Sequence, residues 1–248
     1  MKNIISSLLI LFICVQIQAQ TSIEKKIPIN NIKNISIELP YANSIEIETW
    51  DQKYISIRAI VNIEEGKLDD HFKLKVVERF NSLEIASTYN KLFKKKKSFF
   101  DFFSNKNKAT IITQSAKDEK IVIDGITIEA TYSIYIPKDL ELNLKSSTGN
   151  VSIVNFIGDL STDIVSGDIT VDEYQGNMKL KTVSGKIDIK INQTDALEIE
   201  TIIGKIFKAN RISRLVIGEK LIGSLATRKS DGNSIELTTV SGDIHLKQ

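Results

Sequence analysis

Val165-Ser166-Gly167-Asp168-Ile169, Val183-Ser184-Gly185-Lys186-Ile187 and Val240-Ser241-Gly242-Asp243-Ile244 are three copies of one phrase, and the beat they keep decides the fold. Gly recurs at 149, 158, 167, 176 and 185, nine residues apart each time, and again at 204, 223, 232 and 242. With Gly149, Gly167, Gly185, Gly204, Gly223 and Gly242 as origins, the period is 18 to 19 residues, made of two nine-residue halves. Such a period belongs to architectures of stacked supersecondary units. It specifies no reaction.

Two and four places after those glycines stand Val151/Ile153, Ile169/Val171, Ile187/Ile189, Ile206/Lys208, Leu225/Thr227 and Ile244/Leu246. Seven and five places before them stand Leu142/Leu144, Leu160/Thr162, Met178/Leu180, Leu197/Ile199, Val216/Gly218 and Ile235/Leu237. Apolar residues alternating with polar ones mark strands with one buried face. The glycines serve as structural turns, because tight corners often need a positive φ that Gly adopts without steric cost. No Pro follows Pro137, so none interrupts a ladder. The expected fold is all-β: a β-solenoid or β-helix of stacked 18–19-residue repeats, neighbouring strands about 4.8 Å apart. An antiparallel meander of nine-residue units is the rival. Stacking of successive repeats would set Lys145, Asp163, Lys181 and Glu200 in an alternating outward ladder, and would pair Lys179 with Glu198.

Four segments follow from the pattern. Residues 1–19 carry Lys2, an apolar run from Ile4 to Val15 and a polar end closing on Ala19, which is the form of a secretory signal peptide cleaved before Gln20. An uncleaved anchor is the alternative. The one Cys, Cys14, lies inside the run behind the bulky Ile13, which disfavours lipid attachment and leaves the mature chain without disulfides. Residues 20–66 alternate again and read as N-terminal β turns of the solenoid, with Asn43 in the place Gly takes later. Residues 67–136 break the beat and read as an irregular β insertion, and residues 137–248 form the repeat solenoid. The expected location is exported: periplasm, outer-membrane surface or extracellular.

Within the insertion, Lys91 to Lys108 reads KLFKKKKSFFDFFSNKNK, with seven Lys, one Asp and five of the ten Phe. Without Lys2 and this stretch the chain holds 25 basic and 30 acidic residues, so a mildly acidic body carries a concentrated cationic patch. Lys91, Lys94, Lys95, Lys96 and Lys97 would approach an anionic membrane surface, glycan or envelope protein. Phe93, Phe99, Phe100, Phe102 and Phe103 would enter an apolar layer. The alternative is that the Phe rings pack under the loop. No nucleic acid is expected, since no single-strand-binding motif accompanies the aromatics.

Signals of catalysis are thin: His71 and His245 are far apart, and neither a Gly-x-Ser-x-Gly elbow nor a His-Glu-x-x-His helix occurs. Asp163, Asp168, Asp172 and Glu173 group as acids do on some carbohydrate-cleaving β-helices. The later equivalents of Asp168 are Lys186, Lys205, Ser224 and Asp243, so neither an acid row nor a calcium ladder persists. The reading is of a noncatalytic protein without a cofactor or metal, with a polysaccharide-active enzyme as the alternative. The chain stops six residues after Gly242 with no evident cap, so weak self-association through the C-terminal edge is expected unless His245 and Lys247 guard it.

The run Tyr132 to Ile136, followed by Pro137-Lys138-Asp139-Leu140, Thr148-Gly149-Asn150-Val151 and the repeated Val-Ser-Gly phrase, resembles the bacterial putative-adhesin family with β-strand repeats. Ser44 to Asp51 looks like the opening of the same domain. The resemblance covers most of the mature chain except the lysine-rich stretch. It implies an exported, head-GIN-like β-solenoid of unknown ligand, and it carries over no catalytic residue.

Overall fold

The structure is a computed structural model that describes residues 20–90, 92–93, 113–114, 120–212, 214–219 and 223–248. The signal-peptide reading of residues 1–19 lies outside them. In chain order the first strands are β1 (Thr21–Pro28), β2 (Asn34–Glu38), β3 (Ser44–Trp50), β4 (Tyr54–Ile63), β5 (Phe72–Arg79), β6 (Ser82–Tyr89), β7 (Thr113–Gln114) and β8 (Ile121–Ile123). Next come β9 (Ile126–Pro137), β10 (Leu140–Thr148), β11 (Asn150–Val154), β12 (Phe156–Ser166), β13 (Ile169–Val171), β14 (Tyr174–Gln175), β15 (Met178–Ser184) and β16 (Ile187–Lys190). The last are β17 (Ala196–Ile203), β18 (Ile206–Lys208), β19 (Val216–Glu219), β20 (Ser224–Arg228), β21 (Ser234–Ser241) and β22 (Ile244–Lys247). The protein is all-β, with a single 3-10 turn at Asp69–His71 among the described residues.

Two eleven-stranded sheets face each other across the core. One runs β1-β4-β9-β3-β11-β13-β16-β22-β18, with β8 also on β9 and β7 on β8, and the other runs β19-β20-β17-β21-β15-β12-β10-β2-β6-β5, with β14 also on β12. The middle pairs are parallel and in the register that the glycine beat demands: Leu142 lies opposite Leu160 and Leu160 opposite Met178, while Val151, Ile169 and Ile187 align in the other sheet. Inward positions therefore form columns. Ile47, Ile153, Val171, Ile189 and Leu246 make one, each almost fully buried. Each such side chain contributes about 1.5–3 kcal/mol of burial.

The corners explain the glycines. A Cβ on Gly167 would lie 2.1 Å from the Gly149 carbonyl oxygen, one on Gly185 would lie 2.0 Å from that of Gly167, and one on Gly242 would lie 1.9 Å from that of Gly185. Corner carbonyls also accept hydroxyls from the next layer: Thr182 Oγ1 donates to Gly167 O, Thr239 Oγ1 to Gly185 O and Thr201 Oγ1 to Gly242 O, each at 3.0 Å. A layer lacking a side chain at the corner thus lets the neighbouring layer both approach and cap it. Asn43 aligns with Gly149, and its Oδ1 instead accepts the Ala130 N–H at 2.6 Å.

Three expectations need correction. Residues 67–136 supply integral strands: β6 pairs in parallel with β2, and β9 with β3, because β9 carries a long inward alternation from Ile128 to Ile136. Successive repeats also do not stack throughout in chain order. β21 and β22 take the places beside β15 and β16, and β17 and β18 lie one layer further out. The outward ladder consequently runs Lys145, Asp163, Lys181, Thr238 and Glu200, and Lys179 pairs with Glu236 at 2.8 Å rather than with Glu198. Gly223 is not a corner of the stack either, since it opens β20, which runs antiparallel to β17 and hairpins with β19. The reason lies in the inner column: the position beside Ile189 requires an apolar residue, which β22 provides as Leu246, whereas β18 offers Lys208. Burying an unpaired ammonium there would be strongly unfavourable, and in the outermost layer Lys208 Nζ reaches the Ile212 carbonyl at 3.3 Å.

The C-terminal edge is likewise not an edge. β22 lies between β16 and β18, both paired to it in parallel, so the expected self-association through that strand loses its unpaired backbone groups.

Candidate surface-binding site

The chain leaves β6 at Tyr89 and enters the basic, Phe-rich stretch. Lys91, Lys94, Lys95, Lys96, Lys97, Phe99, Phe100, Phe102 and Phe103 lie outside the described residues. Phe93 is half-buried, its ring 5.6 Å from Tyr41 and 6.0 Å from Tyr89. Tyr89 packs edge-on to Phe72 at 5.4 Å and donates its hydroxyl to the Tyr41 carbonyl at 3.1 Å. Burial pushes the Tyr132 phenol in the same cluster up to about 12 and raises Tyr89 well above the ordinary value. This aromatic group anchors the start of the stretch to the core, and Phe93 belongs to the anchor.

The acids that suggested polysaccharide chemistry are distributed over different elements. Asp163 sits in mid-β12 between Lys145 and Lys181. Asp168 stands at a corner, where its Oδ1 accepts the Lys186 N–H at 2.9 Å and its own N–H donates to Asn150 Oδ1 at 3.0 Å. Asp243 repeats the arrangement with Lys205 N–H at 2.8 Å. These carboxylates bind layer to layer, which is a structural task. Asp172 follows β13 and is 3.7 Å from Lys190.

His245 closes on Asp188. Their atoms Nδ1 and Oδ1 are 2.8 Å apart, and Lys247 and Lys186 approach the other oxygen at 3.3 and 3.7 Å. Phe207 packs edge-on against the imidazole at 5.0 Å. Burial alone would raise the Asp188 pKa, but the hydrogen bond and charge of Lys247, with Lys186 and His245, outweigh it and hold the carboxyl below its usual range. A depressed folded pKa gives stability that is present above the unfolded value and lost as pH falls through the folded one. Asp188→Asn should therefore cost about 1 kcal/mol at neutral pH, a modest figure because the cations are half exposed. Urea midpoints of the two proteins should converge once the wild-type carboxyl is protonated.

A buried polar knot was not foreseen. Tyr174 Oη donates to Asp195 Oδ2 at 2.5 Å, and the same oxygen accepts the Asn192 N–H at 2.7 Å. The guanidinium of Arg228 donates to the carbonyls of Asp195 at 2.9 Å and Asn192 at 2.5 Å. Burial first, then the bond to Asp195, drives the Tyr174 phenol well above its ordinary value. A cleft of about 500 Å³ beside it is lined by Asp172, Tyr174, Lys190 and Asn192. The sequence signal was only the turn-forming run Asn192 to Asp195; Arg228, near the end of β20, gave none.

Residues 138–247 match the family model described as Toastrack DUF4097. The match spans the repeat region, from β10 to β22. Among solved structures, a putative cell adhesion protein from Clostridium sporogenes is 13% identical with a TM-score of 0.60, covering 93% of this chain and 100% of that one. A putative adhesin from Bacteroides fragilis is 12% identical with a TM-score of 0.32, covering 92% of this chain and 98% of that one. The first of these likenesses establishes a shared fold. No curated protein matches.

Proposed function

We propose that this protein is an exported, noncatalytic β-solenoid of the cell envelope or cell surface, an adhesin-like module that binds an anionic surface through residues 91–108. The repeat is read as 18 residues through Ser184 and as rearranged beyond it. The observation that carries the noncatalytic reading is the corner bonding of Asp168 and Asp243. Of the acids with the chemistry for hydrolysis, Asp168 accepts a backbone N–H from the adjacent layer, as its repeat equivalent Asp243 does, and Asp172 lies beside Lys190. The adhesion-protein fold likeness and the match to Toastrack DUF4097 support the same reading. Support for the contact comes from composition, with seven Lys and five Phe in eighteen residues, and from the aromatic anchor at Phe93 that fixes where the stretch begins.

The chain from Gln20 onward, and a version with residues 91–108 replaced by a Gly/Ser linker, would be sedimented with anionic vesicles and with an immobilised anionic glycan at low and moderate salt. Salt-sensitive binding by the first that is lost in the second is the expected result. Equal retention of both proteins would remove residues 91–108 from the function.

A further inference from the structure

Of the seven large hydrophobic side chains exposed among the described residues, five lie in the last layer of the stack: Ile202, Ile203, Phe207, Val216 and Ile217. Ile203 is 66% exposed and Val216 70%. Ile202 and Ile203 end β17 and the others lie on β18 and β19, and these last two strands end the two sheets on the same side of the molecule. Lys205, Lys208, Arg211 and Arg214 are interleaved with them and are also exposed. From Thr201 to Gly218 there is no Asp or Glu. The stretch 91–108 emerges from β6, which lies beside β5 at the opposite end of its sheet.

We infer that this terminal layer is a second docking surface, and that its partner is an anionic lipid bilayer. Charge complementarity selects a polyanionic partner, since Lys205, Lys208, Arg211 and Arg214 stand here against Glu219 at the end of β19 and Asp243, whose carboxylate accepts the Lys205 N–H. The exposed Ile, Phe and Val rows select a partner with an apolar layer beneath its charged surface, which a bilayer has and a glycan lacks. A second copy fits less well. Symmetric apposition would oppose four cations to the same four, and a head-to-tail contact would meet β5, whose Lys73, Lys75 and Arg79 outnumber Glu78. The open side of β18 contributes as well: its outer N–H and C=O groups, without a strand partner among the described residues, can remain hydrated at a headgroup layer.

The test is vesicle flotation of the chain from Gln20, with residues 91–108 intact or replaced by the linker. One variant of each carries Lys205→Gln, Lys208→Gln and Arg211→Gln, and another carries Ile203→Ser and Phe207→Ser. Vesicles would be phosphatidylcholine alone or mixed equally with phosphatidylglycerol. The linker version should still bind the mixed vesicles, and either set of substitutions in it should weaken that binding at least about tenfold. Unchanged binding in those variants overturns the inference, as does absence of binding by the linker version. Loss of a dimer rather than of vesicle binding would make the occupant a second copy and also overturn it. Should the substitutions impair folding, Ile203→Cys carrying a polarity-sensitive dye provides a separate reading: a blue shift on adding mixed vesicles is expected, and no shift refutes the site. Because the linker version lacks residues 91–108, failure of this inference and failure of the proposed function give different patterns.

Discussion

A chain ending at Asp231 is expected to lose its C-terminal half as a folded unit. In a simple stack, removing the last segment deletes an outer layer and leaves the rest paired. Here it removes β21 and β22 from between β15/β16 and β17/β18. Ile235, Leu237, Ile244 and Leu246, all nearly fully buried, go with them, along with the Thr239 hydroxyl on the Gly185 carbonyl. At about 1.5–3 kcal/mol for each apolar side chain, the loss is comparable with the whole stability of an ordinary domain. The outer layer cannot simply close the gap, since that would put Lys208 where Leu246 packs beside Ile189. Hydrogen exchange should show residues 196–228 unprotected in the truncated protein, with the layers around β2, β3, β10 and β11 still protected. Native-like protection of β17 would mean that the outer layer can move inward.

Gly167→Ala is the most damaging single substitution expected. Its φ of +153° is one that L side chains rarely adopt, and the new Cβ would lie 2.1 Å from Gly149 O and 2.6 Å from Gly149 C. Both atoms are backbone leading into β11, which is held by parallel pairing to β3 on one side and β13 on the other, so no side-chain rotation relieves the contact. Backbone strain and overpacking together should cost about 4 kcal/mol, lowering the thermal midpoint by about 10 °C in a chain of this size. Gly218→Ala is the internal control: nothing lies within 4 Å of its Cβ position, and the midpoint should barely move. Similar losses at both positions would mean that the corner glycines are not required by close layer approach.

Much of this fold was legible because its determinants are local. Alternation at Leu142/Leu144 and Val151/Ile153 dictates which face of each strand is buried, and a glycine every nine residues dictates where the chain can turn. The role of Asp168 was not legible, because an acid at a corner reads alike whether it accepts a neighbour's N–H or acts on a ligand, and only the Lys186 amide 2.9 Å away decides. The Tyr174, Asp195 and Arg228 knot escaped for a related reason. Its members are 21 and 33 residues from Asp195 in sequence, and no spacing rule joins them.

By itself the sequence determined the all-β class, the buried face of the middle strands, the corners at Gly167, Gly185 and Gly242 and the concentration of Lys and Phe at 91–108. These follow from period, side-chain size and charge. The parallel pairing of the middle layers is seen only in the folded chain. Tertiary structure alone decided the order of the layers: repeats of nearly equal local quality compete for the same slots, and the competition is settled by which one can bury every inward position. β21 and β22 satisfy that condition with Ile244 and Leu246. The repeat that ends in Lys208 does not, so it lies outermost and leaves its cations and apolar side chains on the surface.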